Sequence, residues 1–241
     1  MIKQKIHLIC YSNGLFKKSQ ERLIMEAEKS GWFDTITGYD ETKLSEEFKE
    51  TFSEILCQKR GAGYWIWKFD IISKKMAEIQ ENDIVIYMDS GCSLNLSGEK
   101  RFNEYIEMVN NNDTGTISFQ TSHAEKTYTI REIFDFFNIT SDERITNSGQ
   151  YMATIIVMRK CPASIEIIQN CINCLKINKL LITDYYNKNQ EKYFKDARHD
   201  QSLLSVIRKM YDTVLLGDET YFIPFGNEES MLYPFWATRK K

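Results

Sequence analysis

Asp83-Ile-Val-Ile-Tyr-Met-Asp-Ser-Gly91 is the stretch that decides the fold. Ile84 to Met88 run without a polar interruption and stop at an acidic turn. An apolar run of this length is what a parallel strand covered on both faces looks like. Upstream, at the distance of one helix, stands Arg60-Gly-Ala-Gly-Tyr-Trp-Ile-Trp-Lys68, a glycine-rich aromatic loop with a cation at each end. Ligands of open α/β sheets sit at the carboxyl ends of strands, and Asp89 lies at such an end.

Working outward, residues 5–11 form a short apolar run closed by Ser12-Asn-Gly14, a first buried strand and its turn. Amphipathic spacing predicts helices over 17–30, 45–59, 69–80, from about Ser97 onward, over 129–138, over 162–182 with Pro162 at the start, and over 201–211. Apolar runs predict further strands at 115–120, 151–158 and 213–216. Strands alternating with helices give an α/β class with a mostly parallel central sheet flanked by helices. With three prolines and no Gly/Ser-rich or Pro-rich linker, the 241 residues read as a single domain.

Hydrophobic residues are 42% of the chain and charged residues 27%, the balance of an ordinary globular protein. A net charge of −3 argues against a broad basic face for nucleic acid. The only basic run, Arg239-Lys-Lys241, reads as an exposed, frayed tail. At most it supports peripheral membrane contact, because no segment has the roughly 18 apolar residues of a span. The N-terminal stretch lacks the long apolar run of a signal peptide, so the six cysteines read as reduced thiols and the chain as cytoplasmic. Cys171-Ile-Asn-Cys174 sits inside a helical pattern without a second pair, and reads as two helix thiols rather than a metal knuckle.

The candidate chemistry centres on Asp89, a hard oxygen ligand suited to Mg²⁺ or Mn²⁺ against a diphosphate. Ser90 and Gly91 complete its turn, and Gly91 permits close backbone approach. Tyr64, Trp65 and Trp67 offer stacking surface, while Arg60 and Lys68 are candidate phosphate partners. Trp65 and Trp67 share a face only if the chain is extended, so at least one of these aromatics is expected to be structural. Tyr11 and Ser12 end the first strand at the same sheet edge. Asp200 is suited to cap the helix it opens, and His199-Asp-Gln201 makes an anion-friendly cluster at that terminus. Asn147-Ser-Gly-Gln150, with Gly149 and Gln150, reads as a loop where backbone meets ligand.

These residues resemble a known pattern. Tyr87-Met-Asp-Ser-Gly91 after an apolar strand resembles the acidic metal motif of GT-A glycosyltransferases. Arg60 to Lys68 is similar to a loop upstream of that motif in small bacterial and large-virus enzymes that build surface polysaccharides. Asn147-Ser-Gly-Gln150 resembles their loop entering an acceptor-side strand, and His199-Asp-Gln-Ser202 their late Asp-Gln motif. The resemblance implies a GT-A fold, with a nucleotide-sugar-binding half over about 1–95 and an acceptor-binding half over 96–241. It implies a donor, UDP-sugar favoured, bound by Tyr11, Ser12, Arg60, Tyr64, Trp65, Lys68, Asp89, Ser90, Gly91, Gly149, Gln150 and His199. It implies a divalent cation at Asp89, transfer to a glycan or glycolipid hydroxyl, and Asp200 as the catalytic carboxylate. One departure stands out: the usual motif has two carboxylates two residues apart, and Gly91 replaces the second. Two other readings share these features, a sugar nucleotidyltransferase and a non-catalytic glycan-binding protein of the same fold.

Overall fold

The structure, a computed structural model, describes residues 3–240. Its centre is a seven-stranded sheet of β1 (Ile6–Tyr11), β2 (Thr35–Tyr39), β3 (Ile84–Met88), β5 (Thr116–Ala124), β6 (Gly149–Tyr151), β7 (Ile155–Arg159) and β8 (Val214–Gly217). A two-stranded ladder joins β4 (Ser93–Leu94) to β9 (Phe235–Trp236) near the chain's end. The sheet order is β2-β1-β3-β7-β5-β6, with β8 also pairing β5. β1, β2 and β3 are mutually parallel. β7 runs against β3 and β5, β6 runs against β5, and β8 runs with β5. Only β6 and β7 are therefore reversed, so the direction expected of a mostly parallel sheet holds with an antiparallel strand at its middle. One sheet runs through both expected halves of the chain.

Side-chain alternation explains why both faces are covered. Ile9, Tyr11, Val85, Tyr87, Ile156 and Met158 belong to one apolar layer with Trp67, Ile71, Ile168, Leu203 and Ile207. Leu8, Cys10, Ile84, Ile86, Ile155 and Val157 belong to the other, with Leu23, Ala27, Phe102 and Val109. Successive strand residues thus feed opposite layers, as a period of two requires. The first layer is closed by the helices Trp67–Glu78, Pro162–Ile177 and Asp200–Lys209; the second by Lys17–Ser30 and Glu99–Asn110.

Several expected boundaries move for identifiable reasons. The helix expected over 45–59 breaks into Glu46–Thr51 and Ser53–Leu56 at fully buried Phe52 (φ −115°, ψ 22°). The helix expected over 162–182 stops at Ile177, because the Asn178 side chain accepts from Leu180 N and starts a separate 3-10 turn. The strand expected over 151–158 is β6 and β7, split at Met152–Thr154 so that the carbonyls of Met152 and Ala153 turn to Arg208 and Lys68. β2, an edge strand, was not anticipated; its alternation of Thr35, Ile36, Thr37 is the sequence feature that marks it.

Backbone crowding at the start of β6 is testable. A Cβ on Gly149 meets the Thr121 carbonyl oxygen at 1.8 Å, and a main-chain oxygen in a sheet cannot yield. Gly149→Ala should cost about 2–3 kcal/mol in urea denaturation, the range of overpacking. Gly217→Ala, where nothing lies within 4 Å, should be nearly neutral. Equal effects at the two positions would refute this account.

Candidate active site

Asp89 follows β3 by one residue, and the strand's alternation directs it to the same side as Tyr87. The Tyr87 hydroxyl donates to Asp89 Oδ1 at 2.5 Å. On this side the helix Trp67–Glu78 brings Lys68, and the helix Asp200–Lys209 brings Asp200. Lys68 Nζ donates to Asp200 Oδ2 at 2.5 Å and to the Ala153 carbonyl at 2.9 Å, and lies 3.6 Å from Asp89 Oδ1. It also sits 4.9 Å from the centre of the Tyr87 ring. Lys68 and Asp200 are buried, whereas the Asp89 side chain is 36% exposed. A single ammonium thus joins two carboxylates that lie far apart in the chain.

Charge states follow from these neighbours. Burial opposes the charge on Lys68, but Asp200 and Asp89 outweigh it and hold the lysine above its ordinary value. Burial pushes the Asp200 carboxyl up to about 6, with Lys68 pulling against it. At neutral pH the proton therefore rests on Lys68 and Asp200 is an anion. Tyr87 is kept well above its ordinary range by burial and by the charge of Asp89, and so remains a hydrogen-bond donor.

Two expectations are corrected here. Lys68 does not project toward an open phosphate site: its ammonium is buried, donates to Asp200 and to the Ala153 carbonyl, and lies 3.6 Å from Asp89. Asp200 does not cap its helix: His199 takes the cap position without a side-chain cap bond, and Asp200 is the first helical residue. The carboxylate still suits the positive end of the helix dipole.

The aromatic loop has an unusual backbone. Gly61, Ala62, Gly63, Tyr64 and Trp65 all have positive φ, at 59°, 50°, 98°, 54° and 61°. Tyr64 N bonds Arg60 O at 2.7 Å and Trp65 N bonds Gly61 O at 3.2 Å, which closes a left-handed helical turn. Gly61 is required, since a Cβ there meets the Trp65 ring at 2.4 Å, and a Cβ on Gly63 meets Leu56 Cα at 2.8 Å. Arg60 is engaged by Asp184 at 2.9 Å and Asp196 at 2.8 Å, so it fastens this turn to the segment before Asp200 rather than facing a phosphate. Tyr64 and Trp65 pack at 4.8 and 5.7 Å from the His199 ring. His199 Nδ1 donates to Ile182 O at 2.9 Å, and burial with the nearby Arg60 charge lowers its pKa, which keeps the ring neutral. Its Nε2 is buried without a hydrogen-bond partner.

Trp67 is the interior aromatic of the pair. It stacks on Tyr11 with ring centres 3.7 Å apart and donates from Nε1 to Gly61 O at 2.9 Å. Tyr11 and Ala62 form part of the wall of a cleft of about 420 Å³ that also meets Asn13, Glu41 and Leu44. Ser12 is not in that wall: it is buried, with its hydroxyl on Gln20.

The remaining expected donor contacts are structural. Ser90 Oγ donates to Tyr11 O at 2.6 Å and ties the ends of β1 and β3 together. Gly91 lies against the chain's own C-terminal segment, with Arg239 Cα and Lys240 O each 3.2 Å from the place of a Cβ. Gly149 approaches β5 rather than a ligand. Gln150 is fully buried and bonds Glu125, Tyr128 O, Thr129 and Gln201.

The C-terminal run is docked, contrary to the expected frayed tail. Thr238 Oγ1 and Lys240 N both donate to Gly91 O at 2.9 Å; Lys241 lies outside the described residues. This places Arg239 beside the Asp89 turn, 5.9 Å from the Tyr221 ring. Arg198 lies 4.2 Å from the Tyr128 ring, which His123 also touches. His123 is lowered by burial first, and then by the charges of Arg198, Lys195 and Arg239. Lys195 and Arg239 are exposed and Arg198 is half-buried, so three cations gather around His123. A second buried pair, Lys209 with Glu125 at 2.8 Å, was also not anticipated. All six cysteines are free, and Cys171 and Cys174 are buried in their helix.

Among the described residues no three His, Cys, Asp or Glu side chains converge as a metal-binding group. Asp89 offers the partly exposed carboxylate beside Lys68. That donor set fits a cation such as Mg²⁺, which is commonly held by one or two carboxylates plus substrate phosphates.

No protein-family model and no curated protein matches the chain. Solved structures similar to it are glycosyltransferases. One is involved in glycosylation of the major capsid of PBCV-1, at 11% identity and TM-score 0.48, covering 96% of this chain and 91% of that one. Mouse xyloside xylosyltransferase 1 aligns at 8% identity and TM-score 0.48, over 90% of this chain and 86% of that one. The galactosyltransferase LgtC, in complex with donor and acceptor sugar analogs, aligns at 9% identity and TM-score 0.45, over 94% and 83%.

The Lys68–Asp200 pair makes a definite prediction. Removing one partner of a buried ion pair strands the other charge and costs about 3–5 kcal/mol. Asp200→Asn should fall at the lower end, because Lys68 keeps Ala153 O and Asp89. Lys68→Met with Asp200→Asn should recover much of that loss in urea denaturation. A single Asp200→Asn that melts like the parent would show that the pair contributes nothing to folding.

Proposed function

We propose that this chain is a glycosyltransferase that moves a sugar from a nucleotide-sugar donor, UDP-sugar favoured, to a hydroxyl of a glycan or glycolipid acceptor in surface polysaccharide or glycoprotein glycan synthesis. The observation that carries the reading is the pairing of Asp89 and Asp200 through buried Lys68 at the carboxyl edge of the sheet, where Tyr11, at the end of β1, helps to wall a cleft. In this reading the nucleoside lies in the cleft walled by Tyr11 and Ala62. The diphosphate lies between Asp89 and the cations Arg198 and Arg239. Asp89 would hold Mn²⁺ or Mg²⁺ together with the diphosphate, and the ion would supply positive charge opposite the leaving nucleoside diphosphate.

Asp200 faces the reacting sugar. Lys68 keeps it anionic and fixed in place, which makes Lys68 a positioning residue. If the acceptor attacks with inversion, Asp200 takes the proton of the attacking hydroxyl. If configuration is retained, its charge stabilises the positive character on the donor sugar. Tyr87 holds Asp89 by one oxygen and leaves the other for the cation. The six free cysteines suit a reducing, cytoplasmic setting. No helix among the described residues is long and apolar enough to cross a membrane.

Thermal-shift screening of nucleotide sugars with and without Mn²⁺ tests the reading, since a ligand of the folded state raises its melting temperature. A UDP-sugar with Mn²⁺ should stabilise the protein, and Mn²⁺ alone should not, because the single carboxylate needs the diphosphate. Asp89→Asn should remove the metal-dependent part of the shift. Turnover should rise with pH through about 6, because Asp200 is protonated, and inactive as a base or anion, below that value. Pyrophosphate release from a nucleoside triphosphate and a sugar phosphate would instead favour the nucleotidyltransferase reading.

A further inference from the structure

A second cavity, of about 370 Å³, lies in the later part of the chain. Its walls come from Lys126, the segment Thr140 to Asn147, and Gln190 to Tyr193. None of these residues takes part in the Asp89–Lys68–Asp200 centre. We infer that this cavity is a second carbohydrate site, which holds a neutral sugar ring of the acceptor some distance from the hydroxyl that reacts. The acceptor role rests on the transferase reading above; the binding of sugar does not.

Its chemistry is that of a saccharide site. Tyr193 is 51% exposed, with its ring fixed by the Lys126 ammonium at 5.2 Å. An exposed aromatic ring of this kind presents apolar surface to the C–H face of a sugar. Around it stand the Ser141 hydroxyl, the Asn147 amide nitrogen, whose oxygen accepts from Lys126 at 2.6 Å, and the Thr140 hydroxyl, which donates to Asp135 at 2.7 Å and can still accept; the Gln190 amide is held by Arg131 N, Glu132 and Tyr186 O and only shapes the wall. The charges cancel, since Lys126 and Arg131 are matched by Glu143 and Glu191, and Arg131 is already drawn to Asp135 at 3.4 Å and Glu191 at 3.9 Å. A strongly charged ligand finds no surplus charge here, whereas a polyhydroxylated neutral one finds partners of both kinds.

The cavity is linked to the transfer centre by one strap. The segment from Gln190 to His199 lines the cavity at its start and enters the helix of Asp200 at its end. Lys195 N bonds Thr127 O at 2.9 Å, and Arg198 N bonds Tyr128 O at 3.1 Å, so the strap is fixed along its length. Tyr193 and Asp200 are seven residues apart, which limits their separation to about 25 Å even if extended. An oligosaccharide can bridge any separation up to that limit, so an acceptor several sugars long can reach both places.

The test uses the full chain, labelled with ¹⁵N, and a panel of neutral oligosaccharides from disaccharide to hexasaccharide, built from glucose, galactose, mannose or N-acetylglucosamine. At millimolar concentration at least one member should shift the amide signals of residues 126–147 and 190–193, with or without UDP and Mn²⁺. Tyr193→Ala should weaken that binding about tenfold, the size of one good aromatic contact, and Tyr193→Phe should restore it. Shifts at these residues without any nucleotide-sugar binding would leave the sugar site standing and remove the transferase reading. Two results would overturn the site: no shift there from any member, or the same shifts from inorganic phosphate.

Discussion

The buried ammonium of Lys68 is the constraint around which the rest is arranged. A charge taken out of water is costly unless it is paired and fully hydrogen-bonded. Lys68 is hydrogen-bonded to one carboxylate at 2.5 Å and one carbonyl at 2.9 Å, and the charge of a second carboxylate stands 3.6 Å away. Each comes from a different part of the chain: the start of one helix, the break between β6 and β7, and the turn after β3. The break at Met152–Thr154 thus has a cause, for an unbroken strand would keep the Ala153 carbonyl in the ladder. Tyr87 completes the arrangement from the sheet face.

The left-handed turn from Gly61 to Trp65 serves the same end. Three of its residues carry side chains, and each L-residue held in this conformation costs about 1–2 kcal/mol. Such strain persists only where surrounding contacts over-determine it. Here Arg60 is clamped by two carboxylates, Trp67 Nε1 holds the Gly61 carbonyl, and Trp65 lies against His199. The result is a reversal of chain direction just before Trp67 and Lys68. It lets Trp67 stack on Tyr11 while the next residue points at Asp200. The two glycines were readable as positions of positive φ; the extension to Ala62, Tyr64 and Trp65 was not, because those residue types ordinarily avoid it.

Local pattern made β1, β3, the main helices and the acidic strand end legible, because alternation and helical spacing are written within a few residues of one another. Asp89 and Asp200 were singled out for the same reason, each at the terminus of an element. What local pattern cannot carry is the partner of a charge. Lys68 and Asp200 are 132 residues apart, and Arg60 and Asp196 are 136 apart. From the sequence, the two cations of the conspicuous loop, Arg60 and Lys68, are the ones expected at the phosphate. Packing pairs Lys68 and Arg60 with carboxylates instead, while Arg198 is half-buried and Arg239 exposed. The tail was misread because a basic terminus with no apolar pattern gives no hint of the main-chain bonds that hold it at Gly91.

Those bonds also explain why the acidic motif is short by one carboxylate. Gly91 stands where a second acid is expected, and the space beside its Cα is filled by Arg239 Cα and the Lys240 carbonyl, each at 3.2 Å. Contacts so close leave room for hydrogen but not for a side chain without movement of the tail, and an aspartate would press its charge toward a carbonyl oxygen. The glycine is therefore matched to the docked terminus, and the docked terminus brings Arg239 to the same turn. In the proposed reading this exchanges one ligand of the metal for one partner of the phosphate. The local charge then becomes less negative, so Asp89 alone can serve when the donor arrives with most of the cation's ligands.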